Sequence, residues 1–75
     1  MTLNDYLSDK KIRQAVFARQ IGVSDTYLSR ILSGERGASI RVAALIEAET
    51  GGLVTVADLV AVRKARMDAL ERLAS

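Results

Sequence analysis

Apolar side chains in this sequence recur three and four residues apart, and the runs they form are punctuated by Gly22, Gly34, Gly37 and the Gly51-Gly52 pair. That spacing is helical, and glycine just past a helix end lets the backbone turn left-handed at little cost. Five helices follow from the pattern. The first covers Leu3–Lys10, with Leu3, Tyr6 and Leu7 on one face, Thr2 as N-cap and Asp5 at the capping-box position. The second covers Gln14–Gln20, turns Phe17, Ala18 and Ile21 inward and stops at Gly22. Ser24 caps a third, Asp25–Leu32, whose stripe is Leu28, Ile31 and Leu32 and whose Asp25 complements the helix dipole. After a loop over Gly34–Ser39, Ser39 caps a fourth helix, Ile40–Glu49, with Val42, Ala43, Leu45 and Ile46 as its apolar positions. Thr55 caps a fifth, running to about Leu73, with Asp58 again at the capping-box position and Val56, Leu59, Val60, Met67, Leu70 and Leu73 apolar. Leu53–Val56 is the only β-prone patch, and it is short and flanked by glycine and a cap. The expectation is an all-α, five-helix bundle.

Length and composition narrow this. With 75 residues the chain forms one domain over 1–75, and a domain of this size buries only about 60% of the surface its unfolded chain exposes. Small domains often need a staple. Cysteine and histidine are both absent, so disulfides are excluded and neither a metal site nor a cofactor is expected. The same absence removes the usual general base and thiol nucleophile, and Gly34-Glu35-Arg36-Gly37 is too short for a phosphate loop, so an enzyme is not expected. No apolar run approaches the roughly 20 residues of a membrane span, and the acidic, polar start MTLNDYL is unlike a signal peptide. The expected setting is the cytoplasm, with no membrane partner and no small-molecule ligand.

Charge distribution says more than the net charge of +2. Residues 10–41 carry Lys10, Lys11, Arg13, Arg19, Arg30, Arg36 and Arg41 against Asp25 and Glu35, while the remainder is net acidic. Basic clustering on one segment is the electrostatic footprint of a phosphate-binding face, though ordinary surface scatter also produces it.

The informative stretch is QAVFARQIGVSDTYLSRILSG, residues 14–34. Two short helices are joined by a tight turn at Gly22, Ala18 is small where they would cross, and Ile21, Val23, Leu28 and Ile31 are spaced to wedge them together. This stretch resembles the Cro and repressor-type helix-turn-helix proteins of phages and bacteria. The shared pattern is Gln14, Ala18, Gly22, Leu28 and Ile31, followed by Leu32-Ser33-Gly34. Beyond it, Val42–Leu59 is similar to the tail of the small Cro-like and YdaS-like prophage regulators, so the resemblance covers residues 3–60. It implies a lambda-repressor-like fold with Ser24–Ser33 as the recognition helix.

The resemblance carries residue roles with it. The N-terminal part of such a helix meets base edges in the major groove of double-stranded DNA, which implicates Asp25 and Thr26 and, one turn on, Ser29 and Arg30. The planar fork of Arg30 suits guanine O6 and N7, and a good pair of this kind discriminates by about 1–3 kcal/mol. Asp25 departs from the neutral residues common there: it can accept from a cytosine amino group, or serve only the helix dipole. Arg13 departs from the usual Ser or Thr cap. Arg13, Gln14, Ser33, Arg36, Ser39 and Arg41 are the expected phosphate contacts, with Ser39 also a cap. Tyr27 either packs at the core edge or reaches a phosphate.

The element over 55–75 has two readings. One face packs on its own domain, or the far half extends as a dimerisation element, with Arg63 interrupting an apolar spacing near 3.5 residues. A homodimer on a symmetric operator is expected, since a single unit touches few phosphates. The rival to a DNA-binding regulator is an antitoxin or protein-interaction adaptor using the same fold.

Overall fold

The helix ends show most directly how this sequence fixes its structure. In the computed structural model, which describes residues 1–74, the order is α1 (Leu3–Lys10), α2 (Gln14–Ile21), α3 (Asp25–Ser33), α4 (Ile40–Glu49) and α5 (Val56–Ala74). No strand occurs among the described residues. The expected end of the C-terminal element at Ser75 lies outside them.

Hydroxyl caps start four of the five helices. Thr2 accepts from the Asp5 N–H at 3.1 Å, Ser24 from Tyr27 at 3.0 Å, Ser39 from Val42 at 3.2 Å and Thr55 from Asp58 at 3.2 Å. The Thr55 cap is reciprocated, because the Asp58 carboxylate accepts from the Thr55 N–H at 2.9 Å. That bond, countered by desolvation and aided by the nearby Met1 ammonium and the Thr55 hydroxyl, holds the Asp58 carboxyl below the usual carboxylate range. The box at Thr2 is half-built, with no bond returning from Asp5 among the described residues. α2 starts at Arg13 with no side-chain cap.

α2 and α3 both end on glycine with positive φ, Gly22 at 76° and Gly34 at 79°. α1 ends differently. Lys11 takes the left-handed conformation with φ 56°, held by its N–H donating to Ser8 and by Ile12 donating to Leu7 at 2.9 Å. α4 ends on buried Thr50, whose hydroxyl donates to the Ile46 carbonyl at 2.9 Å and accepts from the Val54 N–H at 3.1 Å. That bridge turns the chain so that Val54 enters the core, which is why the β-prone patch forms no strand.

Phe17, Leu28, Ile46 and Val54 are fully buried and form the centre, with Leu3, Leu7, Ala18, Ile21, Ile31, Ala43 and Leu59 around them. Every helix contributes, so the core ties α2 and α3 to the rest at one crossing. Tyr6 meets Phe17 edge-on, ring centroids 6.3 Å apart. α5 is the exception, since Leu59 is its only buried residue. The expected α5 apolar positions Val56, Val60, Met67, Leu70 and Leu73 are all exposed; Val56 and Val60 flank buried Leu59 on the packed half, and Met67, Leu70 and Leu73 lie beyond the Arg63 and Arg66 bonds to residues 33–35.

Candidate nucleic-acid interface

The outward face of α3 is fixed by what its inward face must bury. Leu28 and Ile31 are committed to the core, which leaves Asp25, Thr26, Ser29 and Arg30 exposed on the opposite side. These four line one shallow depression together with Gln14, at the start of α2, and Glu35. All four expected base-facing residues therefore stand together.

Gln14 and Asp25 are coupled. The Gln14 amide nitrogen donates to the Asp25 Oδ1 at 2.8 Å and to the Asp25 carbonyl at 3.2 Å. One carboxylate oxygen of Asp25 is thus occupied, and the Gln14 side chain is pinned across the gap between the two helices. The side-chain donors of Gln14 are directed to Asp25, so an added anion could be met there only by the open backbone N–H groups at the start of α2. No periodic pattern signals a bond of this kind.

A second group surrounds Tyr27. Its ring lies under the Arg36 guanidinium, 5.0 Å from carbon to centroid, and its hydroxyl accepts from the Ser39 N–H at 3.3 Å. Of the two readings for Tyr27, the structure places it at the core edge, bracing the α3–α4 loop. A cation over an aromatic face is held at about 0.5–1 kcal/mol when exposed, enough to bias Arg36 toward one orientation. The Arg36 N–H also donates to the Arg30 carbonyl at 3.3 Å. Ser39 caps α4 as expected, and the Ser33 hydroxyl donates back to the Arg30 carbonyl at 3.1 Å. Arg13 and Arg41 are exposed on the helix starts that flank α3.

Two residues that no expectation placed at this site support it from behind. Arg63 Nη1 donates to the Gly34 carbonyl at 3.0 Å and makes a second bond to the Glu35 carbonyl. Arg66 reaches the Ser33 carbonyl at 3.5 Å and pairs with Glu35 at 3.7 Å. Cations at the end of α3 satisfy carbonyls the helix leaves open. Gly34 allows the approach, since a Cβ there would stand 2.8 Å from the Val62 carbonyl oxygen. Arg63 interrupts the apolar spacing of α5 for this reason. The signal was its charge in an otherwise apolar register, readable only once α5 is placed beside α3.

The arrangement is an exposed helix face bearing hydroxyls, a guanidinium and a carboxylate with one oxygen bonded to Gln14, flanked by exposed arginines. Among the described residues, no group of acidic side chains is placed to hold a metal ion, and no helix is long and apolar enough to cross a membrane. A helix-turn-helix family model matches residues 3–53, whereas no curated protein and no solved structure gives a match. The matched segment runs from α1 through α4 and stops before α5. It spans well over half the chain, and the chain belongs to the helix-turn-helix family of DNA-binding regulatory domains.

Proposed function

We propose that this protein is a sequence-specific regulator of transcription, a repressor of phage, prophage or bacterial type, that binds double-stranded DNA as a homodimer on a symmetric operator. The observation that carries the reading is the placement of Thr26, Ser29 and Arg30 side by side on the exposed face of a capped and braced α3. A helix of this kind fits the major groove with its first turns at the base edges. Arg30 reads guanine, and Thr26 and Ser29 donate to base edges or touch a thymine methyl. Asp25 reads only through its second oxygen, the first being held by Gln14. Arg13, Arg36 and Arg41 contact the phosphates on either side, with the start of α2 at Gln14 and the hydroxyls of Ser33 and Ser39 as lesser contacts. Such a protein works in the cytoplasm, associated with the nucleoid when bound.

Selection of bound duplexes from a random pool gives the half-site and its symmetry, and Arg30→Ala then tests the reading. The variant is expected to lose discrimination at one base pair of each half-site by about 5- to 150-fold, the equivalent of 1–3 kcal/mol. Arg36→Ala should weaken all sequences alike and make the salt dependence shallower. Unchanged sequence preference in Arg30→Ala removes Arg30 as a base reader. The exposed apolar stripe on α5 favours a second reading, an antitoxin or adaptor that binds a protein. Failure of the pool to yield any bound duplex would select it.

A further inference from the structure

Gln14 is the one side-chain amide lining the depression in front of α3, beside Asp25, Thr26, Ser29, Arg30 and Glu35. An unengaged amide of this type can face the N6 and N7 edge of adenine with both of its ends. Gln14 does not keep that ability. Its nitrogen carries two hydrogens, and both are spent on one residue: the Asp25 Oδ1 at 2.8 Å and the Asp25 carbonyl at 3.2 Å. The first is a hydrogen bond to a carboxylate, the shorter and stronger kind. Asp25 is thus gripped by backbone and side chain together.

The grip decides what Asp25 can present. Gln14 is half-buried and Asp25 exposed, so the amide anchors the carboxylate rather than the reverse. Oδ1 is held toward α2, and Oδ2 accepts no bond among the described residues. The pair has two acceptors left, Asp25 Oδ2 and Gln14 Oε1, and no donor. Fixing the exposed carboxylate in advance also lowers the cost of ordering it against a base.

We infer that Gln14 is a specificity-determining positioning residue: it makes the Gln14–Asp25 pair an acceptor-only reader of one base, which selects cytosine there and refuses adenine. The inference rests on the functional reading of α3 and names the base that its first residue takes. Cytosine shows an amino donor in the major groove, and one carboxylate oxygen satisfies it. Guanine shows two acceptors and thymine one, and each meets Oδ2 as like to like. Adenine is the discriminating case. Its amino group suits Oδ2, but the N7 acceptor beside it is left unpaired, because the amide that could serve it is already consumed by Asp25.

Selection from a random duplex pool tests this, run in parallel with the full chain as wild type, as Asp25→Asn, and as Asp25→Asn combined with Gln14→Ala. The wild type is expected to prefer cytosine at one position of each half-site by about tenfold or more over each other base. In Asp25→Asn, Gln14 still holds Oδ1, so the new NH2 group stands where Oδ2 stood and offers only donors. Cytosine should be lost at that position, and guanine or thymine, which present acceptors, should replace it. In the double variant the new amide is released from α2 and can face N6 and N7 together, so adenine should take the position. The guanine read by Arg30 should stay the same in all three. Helical circular dichroism should also be unchanged, since neither side chain belongs to the core. A merely structural role for Gln14 would weaken every duplex alike and move no base. Adenine selected by Asp25→Asn alone, one base shared by the single and double variants, or no cytosine position in the wild-type site each overturns the inference and leaves the DNA reading intact. A wild type that enriches no duplex defeats the DNA reading, and this inference with it.

Discussion

Phe17→Ala is expected to destabilise the domain by about 3–5 kcal/mol, measured by urea denaturation followed by far-UV circular dichroism. Phe17 is fully buried on α2 and packs edge-on against Tyr6 of α1. Its ring sits among the buried residues of all five helices, and the cavity left by alanine would have walls on every side. A domain of this size has a total stability of about 5–15 kcal/mol, so the variant should be largely or wholly unfolded at modest temperature. Because the same core sets the crossing of α2 and α3, DNA binding should fall with it. A loss below about 1 kcal/mol would mean that the core collapses around the gap and that Phe17 does not organise it.

Gly34→Ala should have the second-largest effect, and Gly22→Ala is its internal control. Both glycines have left-handed φ, 79° and 76°, which costs a side chain about 1–2 kcal/mol. At Gly22 an added Cβ meets nothing within 4 Å, so that cost is the whole effect. At Gly34 it would stand 2.8 Å from the Val62 carbonyl oxygen and 3.0 Å from the Arg66 Cβ. A backbone oxygen on a packed helix cannot swing aside as a side-chain tip can, so α5 must shift away from α3. The bonds from Arg63 to the Gly34 and Glu35 carbonyls would be lost with it. The excess over Gly22→Ala is expected to be about 1–3 kcal/mol, the range for overpacking. It should be accompanied by loosening of the Gly34–Ser39 loop, read as faster amide exchange there. Equal effects at the two glycines would contradict the close approach of α5.

The helices themselves were legible because their caps and stops are local. Thr2, Ser24, Ser39 and Thr55 announce starts, and Gly22 and Gly34 announce ends, through chemistry confined to four or five residues. α1 carries no glycine signal at its end, and Lys11 takes up the left-handed conformation without one. The outward set on α3 was legible too, since assigning Leu28 and Ile31 to the core leaves Asp25, Thr26, Ser29 and Arg30 outside. What could not be read was anything depending on how elements meet: the bond from Gln14 to Asp25, Arg36 over Tyr27, and Arg63 and Arg66 at the end of α3. Each joins residues whose partnership leaves no periodic trace. α5 shows the same limit from the other side. Its apolar spacing was visible, but which of those residues stay exposed depends on how α5 meets the body, which buries Leu59 and leaves Val56, Val60, Met67, Leu70 and Leu73 outside.

The basic face around α3 is proposed to engage the phosphates of double-stranded DNA. Titration of a fluorescent operator duplex by anisotropy, repeated across salt concentrations, tests it most directly. On the proposed reading Arg13, Arg36 and Arg41 from each of two subunits would neutralise six phosphates, so log K against log salt should fall with a slope of about −5. A slope near zero, or no binding to any duplex at low salt, would contradict it.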